Sequence, residues 1–92
     1  MIRIELPKAL GPYADGENPV DIDEQCATVG DAIAALGIRS GRVLDRVMTE
    51  TGEIRTHVNV FLNAENIRFM NGLDTPAPEG STIIILAAIS GG

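Results

Sequence analysis

Thr82-Ile83-Ile84-Ile85-Leu86-Ala87-Ala88-Ile89, followed by Ser90-Gly91-Gly92, is the stretch on which the fold turns. The apolar run Ile83 to Ile89 is strand-sized, well short of the roughly 18 to 20 residues that span a bilayer. A strand this apolar belongs in the middle of a sheet, with a helix covering one face. Parallel pairing of this strand with the first strand of the chain then requires a crossover, and a helix between them supplies it.

The upstream sequence provides those parts. Ile2, Ile4 and Leu6 alternate with Arg3 and Glu5, the period of a half-buried strand, which Pro7 ends. A turn follows at Gly11-Pro12 or Asp15-Gly16. Pro19 to Asp23 then reads as a short second strand, paired with the first as a hairpin. Thr28-Val29-Gly30-Asp31 is a helix start, with Thr28 as N-cap and Asp31 closing a capping box. Val29, Ala32, Ile33 and Leu36 mark one helical face. Gly37 is expected just past the helix end, with Ile38 folding back onto the last turn. Val43, Leu44 and Val47 suggest a second short helix.

Val58, Val60 and Leu62 alternate with Asn59 and Phe61 in a third strand. Asn63 to Asn66 reads as a tight turn and Ile67-Arg68-Phe69 as a brief fourth strand. Asn71-Gly72 turns again, Leu73 plugs the core from a loop, and Pro78 to Ser81 turns into the last strand. The expectation is one α+β domain spanning residues 1–92: a β-grasp, ubiquitin-like layer with one main helix across a mixed sheet of four to five strands.

Composition narrows the function. Forty-five per cent hydrophobic and 22% charged residues are those of an ordinary soluble chain, and the first residues lack a signal-peptide core, so a cytoplasmic protein is expected. A net charge of −6 argues against nucleic acid as a partner, and no segment suits a membrane. Arg39, Arg42 and Arg46 read as a solvated helix face rather than a binding stripe. Cys26 is the only cysteine and His57 the only histidine, so neither an intrachain disulfide nor a closed zinc site is available. Cys26, just before a helix start, reads as a partly buried structural residue rather than a nucleophile. No catalytic residue, bound cofactor or metal site is read from the sequence.

Two readings compete for Gly91-Gly92. One is a frayed or cut end. The other makes the glycines the working part: without a Cβ they pass through a narrow channel and present one reactive group, the α-carboxylate of Gly92.

The segment Val58-Asn59-Val60-Phe61-Leu62-Asn63-Ala64-Glu65-Asn66-Ile67-Arg68-Phe69, then Gly72-Leu73, Thr75, Glu79-Gly80 and the Gly91-Gly92 end, resembles the ubiquitin-like sulfur carriers of the ThiS/MoaD family, in particular its longer, CysO-type members. The helix start at Thr28 to Asp31 is also similar. Gly41 to Gly52 matches nothing specific. Many relatives carry one or two prolines where this chain has Ala87 and Ala88.

The resemblance implies a non-enzyme, a co-substrate of other enzymes. An E1-like, ATP-dependent adenylating and sulfurtransferase partner would adenylate Gly92, and a sulfur donor would displace AMP to leave a C-terminal thiocarboxylate. A downstream synthase would accept the sulfur, for cysteine, thiamin, molybdopterin or another metabolite. In some relatives a protease, here expected to be a metalloprotease, trims residues beyond Gly-Gly. Ile89 and Ser90 would position the tail, which from Ile89 to Gly92 reaches roughly 13 Å when extended. Two alternatives stay open: the small subunit of a molybdopterin-synthase-like complex, and a ubiquitin-like modifier joined to lysines through Gly92. A third, from another class, is a plain interaction domain with an irrelevant tail.

A partner must also recognise the body. Phe61 points away from Val58, Val60 and Leu62, and Leu86 away from Ile83 and Ile85. If Phe61 and Leu86 share the face opposite the helix, they make an apolar docking patch, with Arg68 as a rim contact. The competing reading is a second small core covered by loops.

Overall fold

The computed structural model describes residues 1–87. Among them, β1 (Ile2–Glu5), β2 (Val20–Ile22), β3 (Val58–Leu62), β4 (Glu65–Asn66) and β5 (Thr82–Ala87) form one mixed sheet in the order β2-β1-β5-β3-β4. This is the β-grasp layout. β5 lies in the centre, parallel to β1 and antiparallel to β3. The parallel pair is closed by the crossover that carries α1 (Val29–Arg39), α2 (Gly41–Val47) and the β3–β4 hairpin.

Alternation fixes the register. Ile2, Ile4, Val20, Ile22, Val58, Val60, Leu62, Ile83 and Ile85 all bury on one side of the sheet. They form one core with Val29, Ala32, Ile33 and Leu36 of α1 and with Val43 and Val47 of α2. A one-residue slip would turn this whole set outward, so burial of one face holds the pairing.

Local signals place α1. The Asp31 N–H donates to Thr28 Oγ1 at 3.1 Å, and the Thr28 N–H donates back to Asp31 Oδ2 at 3.2 Å. Both arms of the capping box are made, and they satisfy amides that the first helical turn leaves without partners. α1 does not stop at Gly37. It runs on to Arg39, and Ser40 then accepts from the Val43 N–H to cap α2. Gly37 is small for a packing reason: a Cβ there would lie 2.5 Å from Leu44 Cδ2, so the glycine lets α2 close against α1. Ile38 accordingly faces solvent, 85% exposed, and does not fold back.

Two other segments differ from the sequence reading. Lys8–Ala14 is a 3-10 helix instead of a simple turn, and the chain reverses after it through Asp15 and Gly16, both at positive φ. Ile67–Phe69 is also a 3-10 turn, whereas the fourth strand is Glu65–Asn66. Asn66 explains the switch: its Oδ1 accepts the Arg68 N–H at 2.9 Å, capping a turn where a strand would need ladder bonds. The hairpin turn is Asn63-Ala64, with Asn63 at φ 56°. Asn63 ties that turn to β5 by donating its N–H to the Thr82 carbonyl and accepting the Thr82 N–H at Oδ1. Leu73 is half-buried against the core as expected, but from a 3-10 turn, Gly72–Asp74, rather than a plain loop.

Candidate functional site

The face of the sheet turned away from α1 bears Phe61 and Leu86. In the β3–β5 ladder Asn59 lies opposite Leu86 and Phe61 opposite Ile84. Directly opposed residues share a face, so Phe61, Ile84 and Leu86 stand together on the open side. Leu86 is 48% exposed, while Phe61 and Ile84 are half-buried. The open side is thus apolar at Phe61, Ile84 and Leu86, and Leu86 is exposed. Arg68 follows in the exposed turn after β4, where Asn66 Nδ2 donates to Asn59 Oδ1 at 3.2 Å. A small cleft of about 200 Å³ is lined by Asn59, Asn66 and Arg68 together with Ile54, Val58, Val60 and Ile67, and does not include Phe61, Ile84 or Leu86.

Toward β1 and β2 the same face turns polar. Arg3 and Asp21 are opposed and form an ion pair at 3.0 Å. The hydrogen bond from Arg3 holds the Asp21 carboxyl below its usual range, and Asp21 in turn raises the guanidinium. Both groups are solvated, so the pair contributes little to stability. The face is therefore divided, with a charged half on β2–β1 and an apolar half on β5–β3. Sequence reading set Ile84 and Leu86 on the same side of the last strand and paired Phe61 with Leu86, but left Ile84 out of the patch and did not single out Asn59. The signal for Ile84 lay in its alternation with Ile83 and Ile85. The partners across the ladder became visible only with the register.

The remaining candidates resolve as follows. Cys26 is half-buried, and its Sγ lies 3.4 Å from the Glu24 carbonyl. Burial, with Asp31 and Glu24 close by, pushes the thiol upward, away from nucleophile chemistry. Arg39 reaches Glu17 and Glu24, while Arg42 and Arg46 lie over the Tyr13 ring, so the three arginines do not make one uniform stripe. Among the described residues no group of three or more His, Cys, Asp and Glu side chains is placed to hold a metal ion, and no helix is long and apolar enough to cross a membrane. Ile89, Ser90, Gly91 and Gly92 lie outside the described residues. β5, the strand that leads to them, pairs with β1 through Ile84 and with β3 on through Ala87.

Comparison with known proteins decides the family. The ThiS family matches residues 11–92, the greater part of the chain and through Gly92. The chain belongs to the ThiS family. The sulfur carrier protein CysO of Mycobacterium tuberculosis is 29% identical over 93 residues, covering 99% of this chain and 98% of CysO. A chain from the crystal structure of the Amycolatopsis orientalis BexX/CysO complex superposes with a TM-score of 0.88 at 29% identity, each chain covered in full. Small archaeal modifier protein 3 of Haloferax volcanii is 30% identical over 66 residues, 72% of this chain and 71% of the modifier. This ThiS-family chain thus has both sulfur carriers and a protein modifier among its relatives, on a shared ubiquitin-like fold.

Proposed function

We propose that the chain carries sulfur on its C-terminal carboxyl group. The observation that carries this reading is the family match through Gly92, together with full-length similarity to sulfur carriers of the CysO type. A free carboxylate is a poor electrophile because it is negatively charged and lacks a leaving group. An E1-like partner joins Gly92 to the α-phosphate of ATP, releasing pyrophosphate. Sulfide sulfur then attacks the acyl carbon, and AMP leaves with the C–O bonding pair. The product is a thiocarboxylate, which a downstream synthase uses as a nucleophilic sulfur source. In this account the chain is a co-substrate and has no catalytic residue of its own. Gly91 keeps the end narrow, and Ser90 and Ile89 link it to β5.

Phe61 and Leu86, with Ile84 between them, serve as the docking surface for the activating enzyme, and Arg68 serves as a rim contact. Support comes from their common placement on the open face and from the exposure of Leu86. The test is ATP–pyrophosphate exchange by the activating enzyme. Exchange should depend on this chain and disappear when Gly92 is deleted; exchange that persists without Gly92 would reject the assignment.

The similarity to a small archaeal modifier protein favours a second outcome of the same activation. If a lysine amine attacks the activated Gly92, an isopeptide bond forms and the chain becomes a modifier. Carrier-plus-target adducts in intact-mass spectra distinguish this outcome from a thiocarboxylate.

A further inference from the structure

A second surface lies at the end of β5, away from the Phe61 face. It is a shallow groove of about 390 Å³ with a mainly apolar floor of Leu10, Val58, Ile85 and Ala87. Its rim carries Arg46 from α2, with Arg55 and His57 from the segment entering β3. Asp45 is the carboxylate beside them.

The two rim guanidiniums are held in place. Arg46 stacks on Tyr13 with its Cζ 3.8 Å from the ring centre, and Arg42 lies over the same ring at 5.1 Å. Arg55 Nε donates to the Asp45 carbonyl at 2.9 Å. Among the described residues, neither Arg46 nor Arg55 forms an ion pair with a carboxylate, whereas Arg3 and Arg39 do. On a chain of net charge −6, Arg46 and Arg55 outweigh the Asp45 carboxylate and make a local excess of positive charge beside apolar surface. Guanidinium groups fixed by stacking and backbone hydrogen bonds lose little rotamer freedom when a carboxylate arrives, and they bind it in a defined geometry.

We propose that this groove seats an acidic segment of a partner protein, with carboxylates placed next to aliphatic side chains. Charge complementarity selects the carboxylates, at Arg46 and Arg55, and the floor at Ala87 and the edge of Leu10 takes the aliphatic groups. The position beside Ala87 brings that partner to the end of the strand leading to Gly91-Gly92. The site does not depend on sulfur loading, so it can be tested on the unloaded chain.

The experiment is an NMR titration of the isotopically labelled full-length chain with the acetylated, amidated peptide Asp-Leu-Asp-Ile-Glu and, separately, with Lys-Leu-Lys-Ile-Lys. The acidic peptide should shift the amides of Val58 and Ala87 and the side-chain signals of Arg46, Arg55 and His57, and the basic peptide should leave them in place. Arg46→Gln/Arg55→Gln should lose those shifts while keeping a dispersed spectrum. If the double variant unfolds, the two peptides on the wild-type chain still decide. Equal response to both peptides, response to neither, or shifts centred elsewhere would overturn the proposal. Groove signals that move only on dilution of the free chain would assign the surface to a second copy and would also overturn it.

Discussion

Phe61 stands opposite Ile84 across the antiparallel β3–β5 pair, on the face of the sheet that α1 does not cover. The next residue on that face of β5 is Leu86, opposite Asn59. Each strand therefore divides its duties by alternation. Val60 and Ile85 are buried in the core, while Phe61 and Ile84 lie toward the open face.

That division gives a stability contrast between neighbours. Ile85→Ala removes a fully buried side chain and should cost about 2–5 kcal/mol. Ile84→Ala, on the open face, should cost clearly less. Equal losses in denaturant titrations of the two variants would mean that the open face is a second core.

Docking should respond in the opposite order. Leu86→Asp should leave the melting temperature near that of the wild type, because the side chain is half-exposed, yet weaken binding of the activating enzyme. Phe61→Asp should do the same at a stability cost of about 1–2 kcal/mol, in keeping with its partial burial. A variant that melts normally and binds normally would remove this face from partner recognition.

Thr28→Ala should destabilise the fold by about 1 kcal/mol, since it removes the side-chain acceptor for the Asp31 N–H. Thermal melting reads this directly. Ser at position 28 should restore most of the loss, because it keeps the hydroxyl.

Thr28 also shows which features were legible from residues alone. Its capping box involves residues three apart, so the pattern and the structure coincide. The alternation of Ile2, Ile4, Val58 and Val60, and the apolar run of β5, likewise gave strand identity and the central place of β5. Where the sequence misled, a contact from elsewhere was decisive. Gly37 carries the mark of a helix end, but its lack of a side chain serves Leu44 of the next helix, so α1 continues. Ile67-Arg68-Phe69 has strand-like residues, but the Asn66 side chain captures the Arg68 amide and makes a 3-10 turn. The open apolar face was half-legible. Alternation put Phe61 and Leu86 on outward positions, but only the ladder register showed that these positions face the same way. The Arg46, Arg55 and His57 groove was not legible, because α2 and the segment before β3 meet only in the folded chain.

Gly91→Val tests the narrow-tail part of the account. Valine restricts the backbone and widens the chain at the point proposed to thread a channel. The proposed docking face is untouched, so the variant should bind the activating enzyme normally, fail in ATP–pyrophosphate exchange and competitively inhibit wild-type loading. Wild-type exchange by this variant would mean that the glycines serve another purpose.

The central claim is that Gly92 bears the sulfur, and the intact mass of the chain tests it most directly. After incubation with the activating enzyme, ATP and sulfide, the wild-type chain should gain the mass difference between one sulfur and one oxygen, carried on its C-terminal fragment. The chain lacking Gly92 should keep its mass. An unchanged wild-type mass, or the same gain in the chain lacking Gly92, would contradict the account.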